Sequence, residues 1–201
     1  MNVCIIQARM GSARLPGKVM LPLNGHTVIS EVVARCWQIP GIDLVVVATP
    51  DDVIEKEIGS VCKVVRGPEH DVLSRYVKAA RETDAKVIMR ITADCPLLCP
   101  ELCGLVLNAL PGHDYASNVE PRTFPQGYDC EAFTFETLYR AGMESDEREH
   151  VTTWMRSADI KRVNVRAPFK MEGRLTLDTE DDYRVICAAF GHEPYQCLRA
   201  A

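Results

Sequence analysis

The first eighteen residues restrict the architecture more than any other part of the chain. Met1, Val3, Cys4, Ile5 and Ile6 form an apolar run that predicts a buried strand. The run passes directly into Gln7-Ala8-Arg9-Met10-Gly11-Ser12-Ala13-Arg14-Leu15-Pro16-Gly17-Lys18. A buried strand feeding a loop of glycine, serine and cations is a phosphate-handling design. Glycine lets backbone N–H groups approach an anion, successive N–H groups can form a nest, and fixed cations match the charge of a triphosphate. The loop falls short of a P-loop: five residues, not four, separate Gly11 from Gly17, and Val19 stands where Ser or Thr would hold magnesium. The expectation is a nucleoside triphosphate held in a different geometry.

The rest of the first half alternates strand-like and helix-like patterns. Apolar positions at Val28, Ile29, Val32, Val33, Cys36 and Trp37 make one helical face over 28–37, and 44–49 is a continuous apolar strand. Helices are expected over 51–59, 71–83 and 100–110, the last with Pro at its start, and strands over 61–65 and 86–92. This rhythm predicts an α/β fold with a mostly parallel sheet and helices on both faces. Beyond residue 112 the rhythm breaks. Strands are expected at 113–117, 130–135 and 160–166, helices at 134–143 and 147–157, and a Pro/Gly-rich loop at 119–128. The second half is expected to add a few antiparallel strands to the same single domain: 1–112 as the nucleotide half, 113–201 as the acceptor half.

A length of 201 residues suits one domain with a sizeable core. The net charge of -5 argues against a general nucleic-acid binder, so the cations of the first loop are a local concentration. No apolar stretch approaches a membrane span, and the start lacks the charged region and cleavage site of a signal peptide. A cytoplasmic protein follows, in which the nine cysteines stay reduced. Cys95, Cys99 and Cys103 have a tempting spacing for a metal, but Pro96 and Pro100 interrupt a common helix. The cysteines are read as small buried hydrophobes.

Ligands of open α/β sheets bind outside the carboxyl ends of the strands. The first loop, Thr49-Pro50-Asp51, Arg66-Gly67-Pro68 and Thr92-Ala93-Asp94-Cys95-Pro96 all fall there. Asp94 follows an apolar strand, and a carboxylate beside a triphosphate is repulsive unless a cation bridges them. Mg²⁺ is the natural choice, binding through one or two carboxylates and the phosphates; the alternative is that Asp94 caps a turn. Asp178 ends a short strand, Arg174 to Leu177, that runs into a helix. Thr179 with Asp182 resembles a capping pair, and spacing alone favours that reading of the acidic run over a second metal ligand.

The opening motif is similar to the signature of the cytidylyltransferase family, which includes the enzymes that make CMP-Kdo and CMP-sialic acids, and within it to the branch named for the spore coat protein SpsF. The resemblance continues in order through Arg66-Gly67, Asp71 to Tyr76, Arg90 to Leu97, Asn118, Pro125-Gln126-Gly127, Glu147 to Thr152 and Leu177 to Asp182. It implies a nucleotide-diphospho-sugar transferase-like, Rossmann-like fold and transfer of CMP from CTP to a sugar hydroxyl with release of pyrophosphate, for activated-sugar and surface-polysaccharide biosynthesis. Ala8, Arg9, Gly11, Ser12, Arg14 and Lys18 would hold the triphosphate, with Thr49 and Arg75 near base and ribose. Asp94 and Asp178 would be Mg²⁺ ligands, and Lys18 and Arg14 would act with them in catalysis. A homodimer is implied by the resemblance alone.

Acceptor contacts are expected from Asn118, Tyr128, Asp129, Glu131, Arg148 and His150. Arg148 is suited to grip a carboxylate or phosphate, and His150 to orient a hydroxyl or take its proton; a solvated helix face is the plainer reading of Glu147, Arg148 and Glu149. Contacts to a sialic acid carboxylate are not evident, so another acidic sugar, a polyol or a phosphonate is open as acceptor. A nucleotidyltransferase using another base, a non-catalytic nucleotide-sugar sensor and a cysteine-based metal or redox protein are the competing readings.

Overall fold

The computed structural model describes residues 1–190. Its frame is a seven-stranded sheet of order β5-β4-β1-β6-β8-β7-β9. The strands are β1 (Asn2–Gln7), β4 (Leu44–Thr49), β5 (Lys63–Arg66), β6 (Val87–Thr92), β7 (Tyr115–Ser117), β8 (Glu131–Thr134) and β9 (Arg162–Asn164). A two-stranded ribbon, β2 (Pro22–Leu23) with β3 (His26–Thr27), lies apart from the sheet. The helices are α1 (Val28–Cys36), α2 (Asp52–Ile58), α3 (Val72–Glu82), α4 (Pro100–Ala109), α5 (Phe135–Glu144), α6 (Thr153–Ser157) and α7 (Glu180–Ala189). β1 pairs in parallel with both β4 and β6, whereas β8 runs antiparallel to β6 and β7. The expected mostly parallel sheet with antiparallel strands in the second half is what forms.

Period-two alternation sends each central strand's side chains to two cores. Cys4, Ile6, Val45 and Val47 face a cluster with α1, α2 and α4; Val3, Ile5, Val46 and Ala48 face α3, α5 and α6. Burial on both faces is why these strands read as unbroken apolar runs. The chain order places β4 and β5 on one side of β1 and β6 on the other. The carboxyl ends of β1 and β6 therefore flank the switch point, where such sheets leave a crevice.

Several boundaries differ from expectation for physical reasons. The helix expected over 147–157 is confined to Thr153–Ser157. The Glu147 carboxylate instead accepts the backbone N–H groups of Glu149 and His150, at 2.7 and 3.1 Å. That local bond competes with helix geometry. The overlap of strand and helix at 134 resolves in one residue: Thr134 ends β8 and caps α5, accepting from the Thr137 N–H at 3.1 Å. The strand expected before Asp178 is reduced to a single bridge between Gln126 and Arg174. The ribbon turn was signalled by Asn24-Gly25, an Asn-Gly pair at φ 52° and 82°. Among the described residues no helix is long and apolar enough to cross a membrane.

Candidate active site

The loop after β1 is folded by its own backbone before any ligand is considered. The Gly17 N–H donates to the Met10 carbonyl at 3.0 Å, and Gly17 adopts φ 70°, which a residue with a Cβ adopts only with strain. The Asp51 carboxylate accepts the Met10 N–H at 2.8 Å, tying the loop to the end of β4. Lys18 then opens a single 3₁₀ turn, Lys18–Met20, anchored by buried Val19. This is the reason Val19 can stand where a P-loop has a hydroxyl: the position is used for packing.

The loop borders a cleft of about 560 Å³ at the carboxyl ends of β1 and β6. Ala8, Arg9, Gly11, Ser12, Arg14 and Lys18 all line it, and so does Arg75 from α3. Asp94 and Asp178 meet on its wall. The Leu177 N–H donates to the Asp94 carbonyl at 2.7 Å, while Leu177 itself is buried with Leu23, Val28, Leu97 and Ile186. Apolar anchoring of one residue thus presents the next. Lys18 Nζ donates to Asp94 Oδ2 and Asp178 Oδ1, each at 3.0 Å, and to the Leu177 carbonyl at 2.8 Å. Asp178 is also paired with Arg14 at 3.0 Å and with Arg174. Burial works against the charge of Asp178, but the Lys18 ammonium, helped by Arg14 and Arg174, outweighs it and holds the carboxyl below its ordinary value.

Asp178 does not cap α7. The capping box is made by Thr179 and Asp182, whose side chains each bond the other's backbone N–H. That separates the two readings of the acidic run: Thr179 and Asp182 start the helix, and Asp178 is left to face the cleft. Two aspartates sharing one ammonium form a hard, anionic oxygen pair, a donor set that fits a divalent cation completed by phosphate and water.

The acceptor-side expectations divide. Asp129 and His150 line the cleft, Asp129 carried by Arg122 and His150 largely exposed beside Glu147. The other four are placed elsewhere. Asn118 is buried, donating to the Tyr128 carbonyl at 2.7 Å and accepting the Cys130 N–H at 3.0 Å, so both ends of its amide staple the 119–128 loop. Tyr128 lies in the core with Phe124 and Cys130. Arg148 turns away from the cleft and forks onto Asp71, the cap of α3, with both contacts at 3.1 Å. Glu131 is 1% exposed and receives Arg90, Arg156 and the Tyr115 hydroxyl. Burial opposes its charge, but the two guanidiniums outweigh that and pull its carboxyl down to about 2. Thr49, expected near the base, is fully buried and accepts the Asp51 N–H at 3.1 Å.

The residues that sequence reasoning missed are Arg90 and Arg156, which line the cleft while Glu131 holds them from behind. The signal was a lone arginine inside the apolar strand Val87–Thr92: a charge in a buried strand demands a partner. Its partner is the residue opposite in the antiparallel register, Arg90 with Glu131. Seven of the eight described cysteines are buried, as the apolar reading expects, and Cys187 is exposed. Cys95, Cys99 and Cys103 look to different neighbours, Thr92, Glu101 and Cys130 respectively. Burial pushes the Cys95 thiol well up. Cys197 lies outside the described residues.

Comparison with known proteins places this geometry in context. The family model described as cytidylyltransferase matches residues 3–185. The spore coat polysaccharide biosynthesis protein SpsF of Bacillus subtilis is 34% identical over 206 residues, spanning 92% of this chain and 85% of that protein. A cytidylyltransferase of Leptospira borgpetersenii superposes with a TM-score of 0.89 at 29% identity, over 95% of this chain and 87% of that one. A CMP:2-keto-3-deoxy-manno-octonic acid synthetase, solved with CTP, superposes with a TM-score of 0.73, covering 96% of this chain and 99% of that one. At 20% identity it shows the shared fold.

Proposed function

This chain belongs to the cytidylyltransferase family, and from that premise we propose that it transfers CMP from CTP to a hydroxyl of a sugar or sugar-like acid, with Mg²⁺ as cofactor. The product would be an activated sugar for surface-polysaccharide synthesis, made by a cytoplasmic homodimer. The observation that carries the reading is the convergence of Asp94 and Asp178, far apart in sequence, on Lys18 at the mouth of the first loop.

In this reading the loop from Ala8 to Lys18 receives the triphosphate, with Arg9, Gly11, Ser12 and Arg14 lining the cleft. Arg75, from α3, would face the nucleoside. The acceptor oxygen attacks the α-phosphorus in line, the bond to the β-phosphate breaks, and pyrophosphate leaves with the bonding electrons. Catalysis of this kind is mostly positioning and charge stabilisation. Arg14 and Lys18 stabilise the charge that grows on the leaving pyrophosphate. Asp94 and Asp178 would hold Mg²⁺, which supplies Lewis-acid polarisation of the phosphate. On the acceptor side, His150 lines the cleft and would accept the hydroxyl proton. Arg90 and Arg156, held by Glu131, present positive charge to an acidic group on the acceptor.

Thermal stability measured against CTP, UTP, ATP and GTP, each with and without Mg²⁺, tests the reading. A ligand at 100 times its Kd stabilises the native state by about 2.7 kcal/mol. Stabilisation selective for CTP and enhanced by Mg²⁺ is expected, followed by pyrophosphate release in a screen of acidic sugars. Equal response to all four nucleotides would refute the cytosine specificity, and no response would refute the assignment.

A further inference from the structure

Every cation of the first loop is already engaged by a carboxylate. Arg9 pairs with Glu149 at 2.7 Å across the cleft, Arg14 with Asp178, and Lys18 with both Asp94 and Asp178. Glu69 lies against the glycine of the loop, its Oε1 2.8 Å from where a Cβ on Gly11 would stand. Lys18 is the most committed. An ammonium has three N–H donors, and all three are used, on Asp94, Asp178 and the Leu177 carbonyl. Its side chain is 12% exposed. In this arrangement Lys18 has no donor left for a phosphate.

A divalent cation entering between Asp94 and Asp178 would meet the ammonium at contact distance. Two cations cannot share that point without strong repulsion. The backbone of Lys18 is fixed by the 3₁₀ turn and by Gly17, so the exchange falls to the side chain alone. A triphosphate in the neighbouring loop offers the ammonium other anionic acceptors.

We infer that Lys18 is a resident cation: it holds Asp94 and Asp178 together in the free protein and yields their shared site to the divalent metal when a triphosphate draws it away. The inference rests on the proposed nucleotidyl-transfer reading and adds a regulation of that same site. Metal and triphosphate then bind with positive coupling, each favouring the other through one side chain, and linkage makes the effect reciprocal. Lys18 is here a positioning residue for the carboxylates as well as a phosphate ligand.

The test is Mn²⁺ binding to nucleotide-free protein, followed by electron paramagnetic resonance, for wild type, K18M and K18R. Removing the ammonium should tighten Mn²⁺ binding by about tenfold or more, while K18R, which keeps the charge, should stay near wild type. Asp94→Asn in the K18M background should abolish the gain, which locates it. A merely structural lysine predicts the opposite sign, because carboxylates that repel one another would separate and bind metal less well. Mn²⁺ affinity in K18M equal to or below wild type overturns the inference. Should K18M not fold, wild type suffices: nitrogen-detected NMR of the lysine ammonium groups should show Lys18 coupled across its hydrogen bonds to the Asp94 and Asp178 carboxylates in the free protein, and those couplings should vanish on adding CTP with Mg²⁺. Couplings that persist in the CTP complex overturn it. The Mn²⁺ measurement contains no nucleotide, so the two readings fail separately: loss of CTP-dependent stabilisation sinks the proposed function and leaves the Mn²⁺ ratio standing.

Discussion

Replacing Glu131 by Gln removes the buried negative charge from a cluster of three whose arginines reach the cleft, and its consequence can be worked from the structure. The Glu131 carboxyl has an ordinary value of 4.5 and sits at about 2 in the fold because Arg90 and Arg156 outweigh the burial cost. A carboxyl whose folded value is depressed adds stability that is complete above its unfolded value and is lost as pH falls through its folded value. At 1.36 kcal/mol per decade, the carboxylate contributes about 3 kcal/mol at pH 7 and about half of that at pH 3. Glu131→Gln should therefore lower stability by about 3 kcal/mol at pH 7, in the range seen when one partner of a buried ion pair is removed. The gap from wild type should close between pH 4.5 and 2, where wild type itself becomes neutral at this position. Urea unfolding of both proteins across pH 7 to 2.5 reads this directly. A loss below about 0.5 kcal/mol at pH 7, or a gap that stays constant down to pH 3, would refute the account of the cluster.

Three further substitutions separate the cleft from its supports. Asp94→Asn should leave thermal stability within a few degrees of wild type and lower turnover by about a hundredfold or more, read as pyrophosphate release; near-normal turnover removes Asp94 from the chemistry. Asn118→Ala removes the amide's bonds to the Tyr128 carbonyl and the Cys130 N–H, and should cost about 2 kcal/mol in denaturant unfolding. Arg148→Ala should leave the KM for the acceptor unchanged and cost about 1 kcal/mol or less, since the Asp71 pair is one-third exposed on both sides; a large rise in KM would return Arg148 to the acceptor site.

What was legible in the sequence was what depends on near neighbours. The run Val3 to Ile6 had to be a strand buried on both faces, and the residues after it had to form a glycine-bent cationic loop at its carboxyl end. Thr179 with Asp182 was readable as a helix start, because a capping box lies within one turn. The Asn24-Gly25 turn is equally local. The helix expected at 147–157 was lost to a competing local bond from Glu147, which the apolar pattern does not encode.

The sequence by itself determined the open α/β sheet and the place of the glycine-bent cationic loop on it. These follow from apolar period and from glycine and proline chemistry, which act over a few residues. Only the tertiary structure decided which charges meet. The register of β8 against β6 set Glu131 opposite Arg90, and the packing of Leu177 carried Asp178 to Asp94. Arg148 was drawn to the α3 cap instead of the cleft. A charged side chain is long and its partner is chosen by the fold, so a polar residue's role follows from what the backbone brings within about 3 Å of it.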